Sequence, residues 1–214
     1  MPTEPDQLDD TAQLATHTVW LAVLFEGGMF LVAMAVNWWF ELSLPERLRW
    51  DLGHAFWALA ATGPLLLMML WTSRSRLGPL VRFRKVVDEV VVPMFRDCSY
   101  AELALISVLA GLGEEALFRG VIQVSLSGPL GDLAAIAITG LLFGLVHWVT
   151  TTYFVLATVI GIYFGCLLVF FDNLLVPMAV HAVYDFLALL YLTRGQGTAE
   201  TPTAKDEQTD IPLR

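Results

Sequence analysis

Two adjacent carboxylates, Glu114 and Glu115, and an arginine, Arg119, stand inside one of the longest apolar runs of the chain, in the stretch GLGEEALFRG. Positions four apart on a helix share a face. Glu115 and Arg119 can therefore pair, which leaves Glu114 one step round the helix without that partner. Two further apolar runs carry ionisable groups at matching spacing. LLFGLVHW sets Phe143 and His147 four apart, and PMAVHAVYDF does the same for His181 and Asp185. A lone histidine near a helix end is ordinarily structural, and His17 and His54 read that way. Asp185 could merely orient the imidazole of His181. Taken together the six groups are harder to excuse as packing. A single charge at the bilayer centre costs about 2.5–3.5 kcal/mol on insertion scales, so separate burial would cost on the order of ten kcal/mol. One shared, partly hydrated cavity is cheaper.

Those residue types suit peptide hydrolysis, which needs an activated water, donors for a developing oxyanion and a proton for the leaving amine. Glu114 can take the proton of the water and pass it on. No Ser or Cys shares a motif with these groups, although Ser107 and Ser125 are near in sequence, so a covalent intermediate is disfavoured. Zinc competes for the same atoms, since Glu114, His147 and His181 would make three ligands with an open fourth position. However, the HExxH pattern is absent. Cys98 and Cys166, 68 residues apart, match no metal or redox spacing.

The elements that must carry these residues follow from composition. Of 214 residues 57% are hydrophobic and 15% charged, and mean hydropathy is +0.65. Soluble domains run near 45–50% apolar and about 25% charged, so the chain is read as an all-α, polytopic membrane protein. Spanning helices need roughly 20 apolar residues, and windows at 18–40, 54–72, 101–124, 132–149, 152–171 and 174–192 meet or approach this, giving about six. An acidic stretch over 1–17 and a tail over 193–214 read as disordered; residues 18–100 hold two helices and a basic segment, and 101–192 carry the six ionisable groups named above. RFRKVVDEVVVPMFRDC, in the basic segment, is too polar to span and reads as an amphipathic element at the membrane surface.

Six of the twelve Lys and Arg residues lie between the second and third windows, three in the C-terminal tail, and two, Arg47 and Arg49, between the first and second. With six spans the basic segment and both termini share a side, and the positive-inside rule makes it cytoplasmic. One tension arises. Measured from Ala101, Glu114 lies about 20 Å along its helix, whereas His147 closes the fourth window at its cytoplasmic end. The two fall at different depths unless the third helix starts late or the helices tilt steeply. Glu26, beside Gly27 and Gly28 in the first window, has no assigned role.

EEALFR, FGLVH and HAVYD fit the EExxxR, FxxxH and HxxxN/D motifs of the CPBP family of intramembrane proteases. This CAAX-protease or Abi family includes the Rce1-type prenyl endopeptidases and bacteriocin self-immunity proteins, and the resemblance covers about residues 101–190. It implies an intramembrane endopeptidase of a bacterial cell membrane, acting on membrane-embedded or lipidated proteins, CAAX-type prenylated ones included, and not on nucleic acid. Glu114 then resembles the catalytic glutamate and His147 its partner in activating water. His181 and Asp185 match the oxyanion pair, where better-known members have Asn in place of Asp185. Glu115, Arg119 and Phe143 become supporting residues, and a glutamate mechanism implies no metal cofactor. Two other classes use the same groups: a non-proteolytic binding or immunity protein, and a proton-coupled transporter, against which the lack of an internal repeat speaks.

Overall fold

In lipid every backbone polar group must find its partner inside the protein. The computed structural model describes residues 4–195, and these form helices joined by short turns, with no strand among them. In chain order they are α1 (Glu4–Phe40), a 3-10 turn (Leu44–Arg47), α2 (Leu52–Arg74), α3 (Gly78–Val86), a π-helical turn (Val87–Val91) and α4 (Val92–Phe95). Then come α5 (Tyr100–Glu115), a π-helix (Ala116–Gln123), α6 (Val124–Leu130), α7 (Asp132–Val146), α8 (Thr151–Phe171) and α9 (Leu175–Arg194). α5, the π-helix and α6 form one unbroken rod.

The all-helical membrane fold read from the sequence is what the chain adopts, with differences in detail. Among the described residues four helical stretches are long and apolar enough to cross a bilayer: Thr16–Phe40, Leu52–Arg74, Thr151–Phe171 and Leu175–Arg194. α7 is apolar but shorter, and the rod from Tyr100 to Leu130 carries Glu102, Glu114, Glu115 and Arg119 and is divided by its π segment. These two account for the gap between four and six. α1 is helical from Glu4, where composition suggests disorder over 1–17; good helix formers such as Gln7, Leu8 and Ala12 carry it upstream. Beyond Gly195, the tail that reads as disordered lies outside the described residues. Large side chains such as Leu24, Trp38 and Phe170 stand exposed at 69%, 78% and 81%, as a lipid-facing surface requires.

Both ends of the bundle are tied by polar contacts. At one end Val19 of α1 packs with Cys98, Phe95 and Leu189, and the Arg194 guanidinium donates to the Arg96 and Cys98 carbonyls. The first turns of the apolar part of α1, the basic segment and the end of α9 thus meet there. At the other end Asp172 accepts from Arg47 and Arg49 at 3.1 and 2.8 Å. Ser99 starts α5 with a capping box, its hydroxyl accepting from Glu102 N while the Glu102 carboxylate accepts from Ser99 N. The reversal between the rod and α7 falls on Gly131, at φ 78°, a backbone state that glycine adopts without strain.

Two glycines just ahead of the paired glutamates set how closely the helices cross. A Cβ on Gly111 would lie 2.7 Å from the Met178 carbonyl of α9, and one on Gly113 would overlap the Glu26 carbonyl of α1. Gly113 therefore brings α1 against α5 one residue before Glu114. A Cβ on Gly28 of α1, by contrast, would meet nothing within 4 Å. Gly113→Ala should lower the melting temperature in detergent markedly. Gly28→Ala should leave it level or raise it, since alanine is favoured over glycine in a helix by about 1 kcal/mol. Equal effects at the two positions would show that α1 is not packed through Gly113.

Candidate active site

Glu114 and Glu115 occupy the last turn of α5, where the rod passes into its π-helical stretch. Such stretches occur often at functional sites. Glu115 and Arg119 are fully buried and paired, Oε1 to Nη1, at 3.0 Å, as their spacing requires. Arg119 Nη2 also donates to the Gly161 carbonyl of α8 at 2.9 Å. Its guanidinium carbon lies 4.5 Å from the Phe143 ring centroid and 5.3 Å from that of Phe164, so aromatic faces take up the sides of the charge. Phe143, at the head of FGLVH, is thus a platform for the arginine.

Glu115 does more than the pairing argument asks of it. The oxygen that holds Arg119 also lies 2.9 Å from His181 Nδ1, and His181 Nε2 faces Asp185 Oδ2 at 3.3 Å. The imidazole lies flat on Phe164, with centroids 4.9 Å apart and planes 16° apart. His181 is therefore fixed in position and plane, with a carboxylate at each nitrogen.

His147 is the first residue beyond α7. Its Nδ1 lies 2.8 Å from the Phe143 carbonyl, an acceptor only, so Nδ1 carries the hydrogen and donates. That leaves Nε2 to face Glu114 Oε2, at 3.7 Å. Glu114 Oε2 is enclosed and has no hydrogen-bond partner among the described residues. Glu114, His147, His181 and Asp185 line one cavity of about 120 Å³. The depth tension disappears once positions are counted from the turn at Gly131. Glu114 is 17 residues before it (131 − 114) and His147 is 16 after it (147 − 131), on antiparallel helices. α7 ends at Val146 instead of reaching 149, so His147 lies level with Glu114 and not at the bundle's end.

Other side chains at the cavity escape a reading of the sequence. Tyr153 and Tyr184 line it beside the four named groups. Tyr184 sits inside HAVYD itself, a signal easily passed over because the motif is read on its ionisable ends. Tyr153 has no spacing that marks it; Thr150 caps α8, accepting from Tyr153 N at 3.1 Å, and so fixes where that tyrosine stands. Glu26 reaches the same neighbourhood from α1, its enclosed Oε2 without a hydrogen-bond partner and under the charges of Glu114, His181 and Asp185. His17 is exposed and His54 Nδ1 bonds Asn173 Nδ2 at 2.9 Å, so neither belongs to the site. Ser107 turns its hydroxyl into its own helix, donating to the Leu103 carbonyl at 2.8 Å. For a zinc site the donors fit poorly: Glu114 and His147 face each other, but both nitrogens of His181 are turned to carboxylates.

Glu115→Ala would leave Arg119 with one carbonyl and aromatic faces, and loss of one partner of a buried pair costs about 3–5 kcal/mol. Its melting temperature in detergent should fall well below that of Glu114→Gln, whose enclosed oxygen bonds nothing. A larger drop for Glu114→Gln would reverse the two assignments.

Similarity to known proteins falls on the same segment. The family model of type II CAAX prenyl endopeptidase, Rce1-like, matches residues 97–187. No curated protein and no solved structure matches the chain. EEALFR, FGLVH and HAVYD all fall inside the matched residues, so the similarity and the polar cluster coincide on the same part of the chain.

Proposed function

We propose that the protein is an intramembrane endopeptidase that hydrolyses membrane-embedded or lipidated proteins with a water activated by Glu114 and His147. The observation that carries this reading is the Glu114 Oε2 to His147 Nε2 approach of 3.7 Å at a cavity within the family-matched segment. In this reading a water bonds both atoms. Glu114 takes its proton as the oxygen attacks the peptide carbonyl, and the charge moves onto the carbonyl oxygen. Collapse of the tetrahedral intermediate breaks the C–N bond, and Glu114 returns the proton to the leaving nitrogen. His181 serves the developing oxyanion through Nε2, whose contact with Asp185 is the looser of its two at 3.3 Å and whose hydrogen is shared between Asp185 and the oxyanion. An ionised Asp185 accepts only, so it orients His181 while Glu115 holds the other nitrogen.

The family supports CAAX-type prenylated proteins as the substrate class to try first. No metal is required by these steps; the zinc alternative would recruit Glu114, His147 and His181. We place it in a bacterial cell membrane, and the positive-inside rule supports an orientation with the basic end and both termini cytoplasmic. A non-proteolytic binding protein or a proton-coupled transporter would keep the residues but not the turnover.

The test is cleavage of a peptide library by the full chain in detergent, with products mapped by mass spectrometry. Hydrolysis should persist in strong chelator, follow a bell-shaped pH profile, and fall at least a hundredfold in Glu114→Gln and His147→Ala. Inactivation by chelator with recovery on zinc would replace the metal-free mechanism. Equal products from wild type and Glu114→Gln would end the protease reading. Asp185→Asn should retain or gain activity if that position can donate to the oxyanion; a severe loss would assign Asp185 the orienting role of a carboxylate.

A further inference from the structure

The catalytic cavity adjoins a larger one. A space of about 340 Å³ shares Tyr153, Ile160 and Tyr184 with it. Met68 and Met69 of α2, Leu156 of α8 and Ala188 of α9 form its walls, and Phe83 and Arg84 of α3 its outer face. Phe83 stacks on Tyr153 at 5.6 Å between centroids, and Tyr153 stands edge-on to His147 at 6.0 Å. Arg84 Nη1 donates to the Thr72 and Ser75 carbonyls at 2.6 and 2.7 Å, which clamps α3 to the end of α2 at the rim.

A scissile peptide fills much of a cavity of about 120 Å³, and its neighbouring side chains need room elsewhere. The adjoining space supplies that room, and its methionine, leucine and isoleucine walls suit apolar groups; Met in particular adapts to varied shapes. The other large groove, between α2, α5 and α9, shares no residue with the catalytic cavity and so leads elsewhere. The geometry points to the space between α2, α3, α8 and α9 as the substrate's side-chain subsite. It takes large aliphatic or aromatic side chains of an extended polypeptide that enters from the basic end of the bundle and passes between Tyr153 and Tyr184. The two phenols offer hydroxyls to its backbone and ring faces to its side chains. This assignment rests on the proteolytic reading of Glu114 and His147.

Two measurements on the full chain in nanodiscs test it. The first uses quenched-fluorescent peptides carrying either alanine or biphenylalanine at each position around the cleaved bond. Filling the subsite with Met69→Trp or Ala188→Trp should reduce kcat/KM for one biphenylalanine peptide at least tenfold more than for its alanine counterpart. Leu59→Trp, on the lipid-facing side of α2 (64% exposed), should not change that ratio. An unchanged ratio in the filled variants, or the same change in Leu59→Trp, would overturn the assignment. The second needs no turnover. A peptide bearing benzoylphenylalanine, irradiated with Glu114→Gln protein, should crosslink to residues 68–73 or to Leu156, and Ala188→Trp should suppress this. Crosslinks confined to the α2–α5 groove, at Val108 or Met178, would overturn the subsite. Crosslinks at the expected residues in a protein that cleaves nothing would keep the subsite and remove the protease reading.

Discussion

A guanidinium buried in a membrane bundle has no bulk water to turn to, and each donor that protein does not meet costs free energy. Arg119 is fully buried; Glu115 and the Gly161 carbonyl meet its two terminal nitrogens, the rings of Phe118, Phe143 and Phe164 lie beside it, and its Nε has no hydrogen-bond partner among the described residues. The same Glu115 oxygen holds His181. One carboxylate thereby ties the rod to α8 through Arg119 and to α9 through the imidazole. A buried pair of this kind contributes little net stability over an apolar replacement, but its geometry is unforgiving once the chain is committed to it. The position of His181 inherits that rigidity.

The π-helix explains how one rod serves so many neighbours. Arg119 and Gln123, four apart within it, donate to the carbonyls of Gly161 and Gly165, four apart on α8, at 2.9 and 3.1 Å. Glycine at the acceptor positions leaves those carbonyls open to a side chain from the next helix. Ahead of the π stretch, Gly111 and Gly113 admit α9 and α1. Small residues at crossings are how helices approach in a medium without hydrophobic drive between them. The stretch GLGEEALFRG is therefore a packing device as well as a chemical one.

Much of this is legible in the sequence, because charges in apolar helices are conspicuous and the i,i+4 rule is local. The Glu115–Arg119 and His181–Asp185 approaches follow from spacing alone. What spacing cannot give is contact between helices. The bond from Glu115 to His181 spans 66 positions, and no periodicity announces it. Hydropathy windows taken as full crossings misplace His147 in depth, because α7 stops at Val146 and the turn at Gly131 sets the common level. Tyr153 and Tyr184 are invisible for a simpler reason: aromatic residues are everywhere in such a chain, and only the cavity tells which ones face it. Glu26 is conspicuous in the sequence but has no partner there; the Gly113 crossing is what carries it toward the site.

The charge balance of the site places one further demand on it. Glu26, Glu114, Glu115 and Asp185 gather round one permanent cation, Arg119, among the described residues, with His147 and His181 as the groups able to add positive charge. In the proposed mechanism an oxyanion developing in such company would meet repulsion from Glu114 and Asp185 unless a proton-bearing nitrogen stood closer. Interaction between charges falls with distance and strengthens where water is excluded, so placement decides the sign. His181 lines the cavity while Glu115 takes up its inner nitrogen from behind. Arg119, 3.0 Å from that same Glu115, offsets the carboxylate's charge and lets the imidazole face the cavity without a bare anion at its back. In the proposed mechanism the supporting pair thus fixes the imidazole through Glu115 while adding no net charge behind it.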